Sequence, residues 1–205
     1  GLRMGPDGRL YFSVGDRGCH VTNQEGKVLD NVQSGSVFRC DPDGSNLEFV
    51  ATGLRNPQEL AFDQYGNLFT ADNNCDYGDA ARWVYVVEGG DSGWRLGFQF
   101  MNQPNNAGVW MAENLWHIEQ EHPAAYCLPP VAYAGPGPSG IAYYPGTGLG
   151  DQYKDHFFMC DFRGGTNSGV WSVQFKPKGA TFEATEKKQF FWNLLPTDVE
   201  FAVDG

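Results

Sequence analysis

The sequence predicts an all-β fold and, within that class, a fragment of a β-propeller. Glycine (27 residues) and proline (12 residues) interrupt the chain, and the short segments between them are rich in aromatic and β-branched residues, as in strands joined by turns. A repeated pattern, clearest in PQELAFDQYG and PTDVEFAVDG, places an apolar anchor at Leu2, Leu60, Ile141 and Val199. The intervals between anchors are 58, 81 and 58 residues, and a unit of that length supplies the four strands of a propeller blade.

The repeat divides the chain into consecutive blades. Three units and the opening strand of a fourth are fewer than the roughly four to eight blades that close a propeller. We therefore expect residues 1–205 to be part of a larger propeller. The alternative is a complete β-sandwich whose internal similarity is coincidental. The predicted blades are 1–54, 55–135 and 136–195, with 196–205 as the start of a further blade.

The long middle unit contains an insertion, predicted at about 95–135. Within it the segment AGVWMAENLWHI has a helical pattern, so we expect a short helix over Ala107–Ile118. The aromatic residues of the insertion either form a lid over a site or pack an elaborated loop onto the fold.

The composition excludes several kinds of function. The formal net charge of −11 repels phosphate backbones, which argues against nucleic acid as a partner. No segment approaches the roughly 20 apolar residues of a membrane-spanning helix, and no targeting signal is visible in the chain. Five cysteines occur without a CxxC pair, so neither a zinc site nor attached haem is expected.

Propeller geometry brings several polar residues to one face. The turn before a first strand and the turn after a second strand lie at the same end of a blade, because successive strands alternate in direction. Arg55 and Asn56 precede a first strand, whereas Asp16, the loop Asp72–Asp79 and Arg163 follow second strands. Sites are commonly built on loops that a rigid scaffold carries, so we expect these residues to surround one site.

The loop Asp72–Asp79, with the sequence DNNCDYGD, is a candidate calcium site. Its oxygen-bearing side chains occupy alternate positions before a glycine, and calcium binds roughly six to eight such oxygens. No glutamate closes the loop, so it is not an EF-hand. The alternative is an Asp/Asn-rich turn that hydrogen-bonds its own backbone.

The segment Thr52–Trp94 carries a family resemblance. It contains the turn Arg55-Asn56-Pro57-Gln58, two strand patterns, the acidic loop and a glycine turn, and it resembles the diagnostic segment of the glucose/sorbosone dehydrogenase family. The details FTADNNCDYGDAARW, EGGDSGW and PSGIAYY are most similar to the membrane-bound dehydrogenase branch known from planctomycete-type bacteria. The resemblance implies a six-bladed β-propeller that binds pyrroloquinoline quinone (PQQ) and calcium. The chain would then supply about three four-stranded antiparallel blades.

The resemblance also implies roles for individual residues. The family's arginine–asparagine pair that matches Arg55 and Asn56 contacts the cofactor, and Arg163 matches a further arginine that faces cofactor or substrate. A guanidinium suits the carboxylates of PQQ because it binds a carboxylate bidentately. Asp16 matches the aspartate that orients the catalytic histidine. That histidine is expected just upstream of Gly1, outside the chain.

The calcium ligands implied by the resemblance are backbone carbonyls in the acidic loop. The family usually has Gly-Pro at the two carbonyl positions, where this chain has Asn-Cys. The implied metal set is Asn74 and Cys75, flanked by Asp72, Asp76 and Asp79.

The function implied by these features is a PQQ- and calcium-dependent oxidoreductase that transfers a hydride from a sugar or polyol to the quinone. In the full-length protein, a c-type cytochrome is the expected electron acceptor, and the location is periplasmic or secreted. One alternative is a calcium-dependent propeller lactonase or other hydrolase, which would not need Arg55 and Arg163 to converge on one planar ligand. The other is a non-catalytic propeller that binds a glycan or a protein.

Overall fold

The structure, a computed structural model, describes residues 1–102, 104–118 and 127–202. Within them the predicted all-β class is confirmed, because three main sheets and one hairpin dominate and helix is confined to short segments. The strands are β1 (Leu2–Met4), β2 (Leu10–Val14), β3 (Cys19–Thr22), β4 (Val28–Asn31), β5 (Gly35–Cys40), β6 (Glu48–Leu54), β7 (Pro57–Phe62), β8 (Leu68–Asp72), β9 (Arg82–Val86), β10 (Gly90–Asp91), β11 (Ala132–Tyr133), β12 (Pro138–Tyr143), β13 (His156–Asp161), β14 (Gly169–Lys178) and β15 (Thr181–Trp192).

Each main sheet is built from strands that are close in sequence. The first has the order β1-β2-β5-β6-β10, the second β7-β8-β9-β11 and the third β12-β13-β14-β15. The strands β3 and β4 form a separate hairpin between β2 and β5. Neighbouring strands are antiparallel except for β10, which pairs in parallel with β6. The four-stranded antiparallel sheets that the repeat predicted are therefore present.

The parallel strand β10 follows from a tight turn after β9. Gly89 has a φ of +75°, a left-handed conformation that glycine adopts without steric cost. The N–H of Gly90 donates to the carbonyl of Val87 at 2.9 Å and closes the turn. The chain then runs beside β6, with Gly90 opposite Ala51.

The insertion contains less helix than its sequence pattern predicts. Helix α1 spans Gly108–Ala112, five residues instead of the predicted Ala107–Ile118. Ala107 and Asn114 both have left-handed backbone conformations, with φ of +53° and +51°. An α-helix does not continue through such a residue, so the helix is limited at both ends. Two single 3₁₀ turns complete the helical content of the described residues, at Leu96–Phe100 and Asp151–Tyr153.

Two apolar cores hold the main sheets together. The first and second sheets pack through aliphatic side chains, among them Leu54 and Leu60. The second and third sheets pack through an aromatic cluster, in which Phe69 lies 5.0 Å from Phe157, ring centre to ring centre. Of the repeat anchors, Leu60 and Ile141 are fully buried, whereas Leu2 is 66% exposed.

The strand register fixes which ends of the second and third sheets correspond. Pro57 at the start of β7 pairs with Asp72 at the end of β8. In the same way Pro138 at the start of β12 pairs with Asp161 at the end of β13. We call this the turn end of each sheet. The hairpin that joins β7 to β8 lies at the other end, which we call the hairpin end.

Candidate functional site

A buried carboxylate organises the turn end of the second sheet. Asp72 is completely buried. Its Oδ2 accepts the backbone N–H of Arg55 at 2.9 Å, and its Oδ1 accepts that of Asn56 at 2.6 Å. The carboxylate therefore holds the Arg55-Asn56 turn in a fixed position directly before β7.

The charge of Asp72 is matched by a buried arginine. Nη2 of Arg82, at the start of β9, lies 2.7 Å from Oδ2 of Asp72, and the Arg82 side chain is 1% exposed. Burial raises the pKa of the Asp72 carboxyl and lowers that of Arg82, and the attraction between them opposes both shifts. Neither Nη1 nor Nη2 of Arg82 makes a hydrogen bond in the described part of the chain, so its contact with Asp72 is an ion pair. The guanidinium lies instead over the ring of Trp110, 4.3 Å from its centre.

The acidic loop is closed by its own hydrogen bonds. The backbone N–H of Cys75 donates to Oδ1 and Oδ2 of Asp79 at 2.9 and 3.0 Å. The indole N–H of Trp110 donates to Oδ2 of Asp79 at 2.9 Å. Asp76 has a left-handed φ of +67°, and its side chain is 75% exposed. Asp79 thus points into the loop, whereas Asp76 points into solvent.

The insertion packs over this loop. Gln99 donates to the carbonyl of Cys75 at 3.1 Å, and the hydroxyl of Tyr77 donates to the carbonyl of Gln99 at 3.3 Å. Cys75 is fully buried, and burial raises the pKa of its thiol to about 12. The thiol is therefore neutral at physiological pH. Of the two roles foreseen for the insertion, its described residues fill the packing role.

Asp16 lies beside the Arg55 turn. Its backbone N–H donates to the carbonyl of Arg55 at 2.7 Å. Its Oδ2 accepts the indole N–H of Trp94 at 2.9 Å, and Trp94 is fully buried. A Cβ on Gly15 would lie 3.1 Å from Oδ1 of Asn56, so glycine is favoured where these two loops touch.

The Arg55 side chain lies at the edge of the cluster. It is 21% exposed, and its Nη2 is 3.6 Å from Oδ2 of Asp76. That distance is longer than a charge-assisted hydrogen bond, and Asp76 is itself largely in solvent. The Arg55 guanidinium is therefore available to an anion, whereas the Arg82 guanidinium is not.

Arg163 belongs to a corresponding cluster on the third sheet. Its Nε and Nη2 donate to Oδ2 of Asp161 at 3.0 and 2.7 Å, and it lies 5.3 Å from the centre of the Trp192 ring. Asp161 is completely buried. It also accepts the backbone N–H of Gly137 and the indole N–H of Trp171. Its position in the repeat is that of Asp72.

The structure thus joins most of the predicted site residues by direct contacts. The turn formed by Arg55 and Asn56 is contacted by Asp16 and Asp72, and the Arg55 side chain is contacted by Asp76. Cys75 and Asp79 are linked within the loop, and Asn74 reaches the carbonyl of Asp79 at the long distance of 3.5 Å. Arg163 lies in the second cluster, at the turn end of the third sheet. The roles of these residues stay predictions.

Sequence reasoning missed four residues that build the two clusters. Arg82 and Trp94 lie within motifs that carry the family resemblance, but neither those motifs nor the position of Trp110 in the insertion shows which turn each side chain reaches. Asp161 had a signal, because FTAD and FMCD both end a second strand with aspartate. The repeat would have paired it with Asp72.

The carboxylates of Asp72 and Asp79 do not fit calcium as they stand, whereas that of Asp76 is largely in solvent. Asp72 accepts two backbone N–H groups and is ion-paired with Arg82, and Asp79 accepts one backbone N–H group and the indole N–H of Trp110. In the ranges that the structure describes, no group of three His, Cys, Asp or Glu residues is arranged to hold a metal ion. In the same ranges, no helix is long and apolar enough to cross a membrane.

Comparisons with known proteins agree with the predicted family resemblance. The family model for "Domain of unknown function (DUF7133)" matches residues 1–202. Quinoprotein glucose dehydrogenase B of Acinetobacter calcoaceticus is 29% identical over 119 residues, which is 45% of this chain and 24% of that protein. The predicted resemblance to the glucose/sorbosone dehydrogenase family is confirmed.

Two solved structures share the fold. The PQQ-bound aldose sugar dehydrogenase (Adh) of Streptomyces coelicolor matches with a TM-score of 0.56 and 23% identity, over 92% of this chain and 47% of that chain. The apo-form of the soluble aldose sugar dehydrogenase (Asd) of Escherichia coli matches with a TM-score of 0.61 and 18% identity, over 91% of this chain and 53% of that chain. The chain spans about a quarter of the curated relative and about half of each structure. The propeller-type fold class is confirmed.

Proposed function

The chain belongs to the DUF7133 family, and from that premise we propose that it is part of a PQQ-dependent oxidoreductase acting on a sugar or polyol. Support comes from the quinoprotein relative and from the fold shared with aldose sugar dehydrogenases. When bound, PQQ would supply the acceptor for the hydride that leaves the substrate carbon.

The observation that carries this proposal is the anchored Arg55-Asn56 turn. Asp72 fixes the turn through two backbone N–H groups, and Arg82 takes up the charge of Asp72. The Arg55 side chain is left with one loose partner, at 3.6 Å. A cation held on a fixed backbone and free of a close counterion is suited to bind a carboxylate of the cofactor.

The neighbouring residues would orient the bound molecules. The Asn56 amide lies against Gly15 and could donate to the same ligand as Arg55. Asp16 is held by Trp94 and by the Arg55 carbonyl. We propose that it orients an imidazole that takes the hydroxyl proton of the substrate. Arg163, fixed by Asp161, is the proposed second cation.

Calcium is proposed to bind at the acidic loop. The side chains of Asp72 and Asp79 hold protein donors, so a bound ion would depend on Asp76 and on the carbonyls of Asn74 and Cys75, of which the Cys75 carbonyl also accepts the Gln99 amide. Calorimetry with calcium should then show binding that Asp76→Ala weakens about tenfold or more, since carboxylates tune calcium affinity. Lys178→Ala, a substitution near the far end of β14, should leave the affinity unchanged. Equal affinities of wild type and Asp76→Ala would make the loop a structural turn only.

The cofactor proposal is tested by PQQ binding. Titration of the protein with PQQ, followed by quenching of tryptophan fluorescence, should give saturable binding. Arg55→Ala should weaken it at least about tenfold, because a charged hydrogen bond contributes about 1.5–3 kcal/mol. Lys178→Ala is the control, since Lys178 pairs with Glu183 near the far end of β14. Equal affinity of wild type and Arg55→Ala would refute the assigned site.

Activity is tested separately in the full-length protein. With PQQ and calcium added, it should reduce an artificial electron acceptor in the presence of an aldose or polyol, and Arg55→Ala should abolish this. A c-type cytochrome is the proposed natural acceptor, and a periplasmic or secreted location is proposed with it. Sugar-independent reduction would count against the substrate class.

A further inference from the structure

A cavity of about 550 Å³ lies between the second and third sheets at their hairpin end. It is remote from the Arg55 turn, because β7 and β8 run the length of the second sheet between the two. Its volume falls within the range of about 300–1,000 Å³ that is typical of small-molecule sites. None of the residues assigned above to cofactor or substrate lines it.

The floor of the cavity is aromatic. Phe69 and Phe175 stack with their ring centres 5.3 Å apart and their planes within 3°. Phe182 meets Phe69 edge-on at 5.0 Å and is only partly buried. Phe69 is fully buried and supports the floor from beneath, so a ligand in the cavity meets the accessible carbon atoms of the partly buried Phe182 and, to a small extent, those of Phe175, which is 7% exposed.

The mouth of the cavity is polar, and its groups are held in place. The Tyr143 hydroxyl and the Gln64 amide donate to the same atom, Oδ1 of Asp155, at 3.1 and 2.7 Å. Within the described residues, no hydrogen-bond donor lies on Oδ2 of Asp155. Asp155 has a left-handed φ of +63°, a conformation uncommon outside glycine. Lys176 contributes an exposed ammonium group to the same mouth.

One exposed aromatic ring stands at this mouth. Tyr65 is 81% exposed at the tip of the β7–β8 hairpin. The hairpin is rigid because Asp63 accepts the backbone N–H groups of Tyr65 and Asn67, both at 2.9 Å, and the Asn67 amide. A tyrosine carried on a rigid hairpin, with its ring in solvent beside an aromatic cavity, is suited to stack on a ring that enters it.

From this arrangement we infer a second ligand site, for a pyranose ring of a carbohydrate. A pyranose has a carbon face for the aromatic floor and for Tyr65, and hydroxyl groups for Asp155, Lys176 and the neighbouring amides. A phosphorylated or anionic ligand fits less well because Asp63 and Asp155 repel it. The site goes beyond the proposed oxidoreductase function and does not depend on it.

The inference is tested by titrating the protein with maltotriose and with sorbitol, an open-chain polyol without a ring face. NMR shift mapping should show saturable binding of maltotriose, with shifts centred on Tyr65, Tyr143 and Asp155, and much weaker binding of sorbitol. Tyr65→Ala should weaken maltotriose binding roughly five- to tenfold through loss of stacking. Tyr65→Phe should retain it, because the ring remains.

Two controls separate this site from the proposed active site. Phe191→Ala removes another exposed aromatic, 58% exposed and distant from the cavity, and should leave affinity unchanged. Arg55→Ala should also leave maltotriose binding unchanged, and Tyr65→Ala should leave PQQ binding unchanged. Absence of saturable binding would overturn the inference, and so would binding lost in Arg55→Ala but kept in Tyr65→Ala.

Discussion

Replacing Arg82 with methionine tests whether the buried ion pair anchors the site. The side chains of Arg82 and Asp72 are 1% and 0% exposed, so the substitution leaves a carboxylate without its counterion in the interior. Breaking a buried pair from one side costs about 3–5 kcal/mol. Methionine fills most of the arginine volume and can still pack on Trp110, so we attribute the loss to charge and not to a cavity.

Urea unfolding measures this cost. With a slope of about 2–3 kcal/mol per molar urea for a chain of this size, the midpoint should fall by about 1–2.5 M. The double variant Arg82→Met/Asp72→Asn should be more stable than Arg82→Met alone, by about 1 kcal/mol or more, because the unpaired charge is gone and one acceptor oxygen still faces the Arg55 turn. Lys154→Met, which breaks the exposed pair with Asp151, is the control and should leave the midpoint unchanged.

Two results would refute the reasoning. The first is a decrease of less than about 1 kcal/mol in the free energy of unfolding of Arg82→Met, which would mean that water or a rearranged side chain compensates the charge of Asp72. The second is a double variant whose loss of unfolding free energy equals the sum of the losses in Arg82→Met and Asp72→Asn, which would mean that the two residues act independently.

Two further predictions concern the other sheets. Burial lowers the pKa of His156, whose Nδ1 lies 2.6 Å from the Ser172 hydroxyl and whose Nε2 lies 3.6 Å from Glu186. The charges of Glu186 and Asp155 raise this pKa, and that of Lys188 lowers it. As the pH falls, His156 is therefore protonated in the unfolded chain first, near the ordinary histidine pKa of 6.5, and in the folded chain only at lower pH. The free energy of unfolding of the wild type should consequently decrease relative to that of His156→Gln as the pH falls from 7.5 to 5.5. A constant difference between the two urea midpoints would contradict this. Arg3 donates to the carbonyls of Leu60 and Ile141 and so connects β1 to β7 and β12. Arg3→Ala should therefore lower the free energy of unfolding by about 2 kcal/mol. An unchanged urea midpoint would show that water replaces both hydrogen bonds.

The sequence carried most of the information on the sheets because strand patterns are local. The anchors Leu60 and Ile141 were recognised from their repeat, and both are fully buried. The helix was overestimated because periodicity alone does not show the left-handed residue Asn114 that ends it. The parallel strand β10 depends on one glycine turn, which a repeat pattern cannot reveal.

The candidate site was predicted less completely, for a physical reason. Turn residues such as Arg55 are marked by sequence neighbours, whereas their supports come from other elements of the fold. Trp110 reaches Asp79 across 31 positions, and Trp94 reaches Asp16 across 78. The acidic loop is predicted as a metal site from its carboxylates, and that stays a prediction; the sequence does not show the N–H groups that contact Asp72 and Asp79.

The repeat explains why the accessible cations, and not the buried acids, are the functional candidates. Asp72 and Asp161 end equivalent strands, and each accepts the backbone N–H of the residue before a proline, Asn56 or Gly137. A residue before proline is biased to extended backbone, so in both sheets the carboxylate fixes a turn that is already restricted. This shared function is structural. The cations differ: the counterion of Asp72 is buried on β9, whereas that of Asp161 is Arg163, whose side chain is 29% exposed. A ligand at the turn end would therefore contact Arg55 and Arg163, which are 21% and 29% exposed, while both buried aspartates keep their structural role.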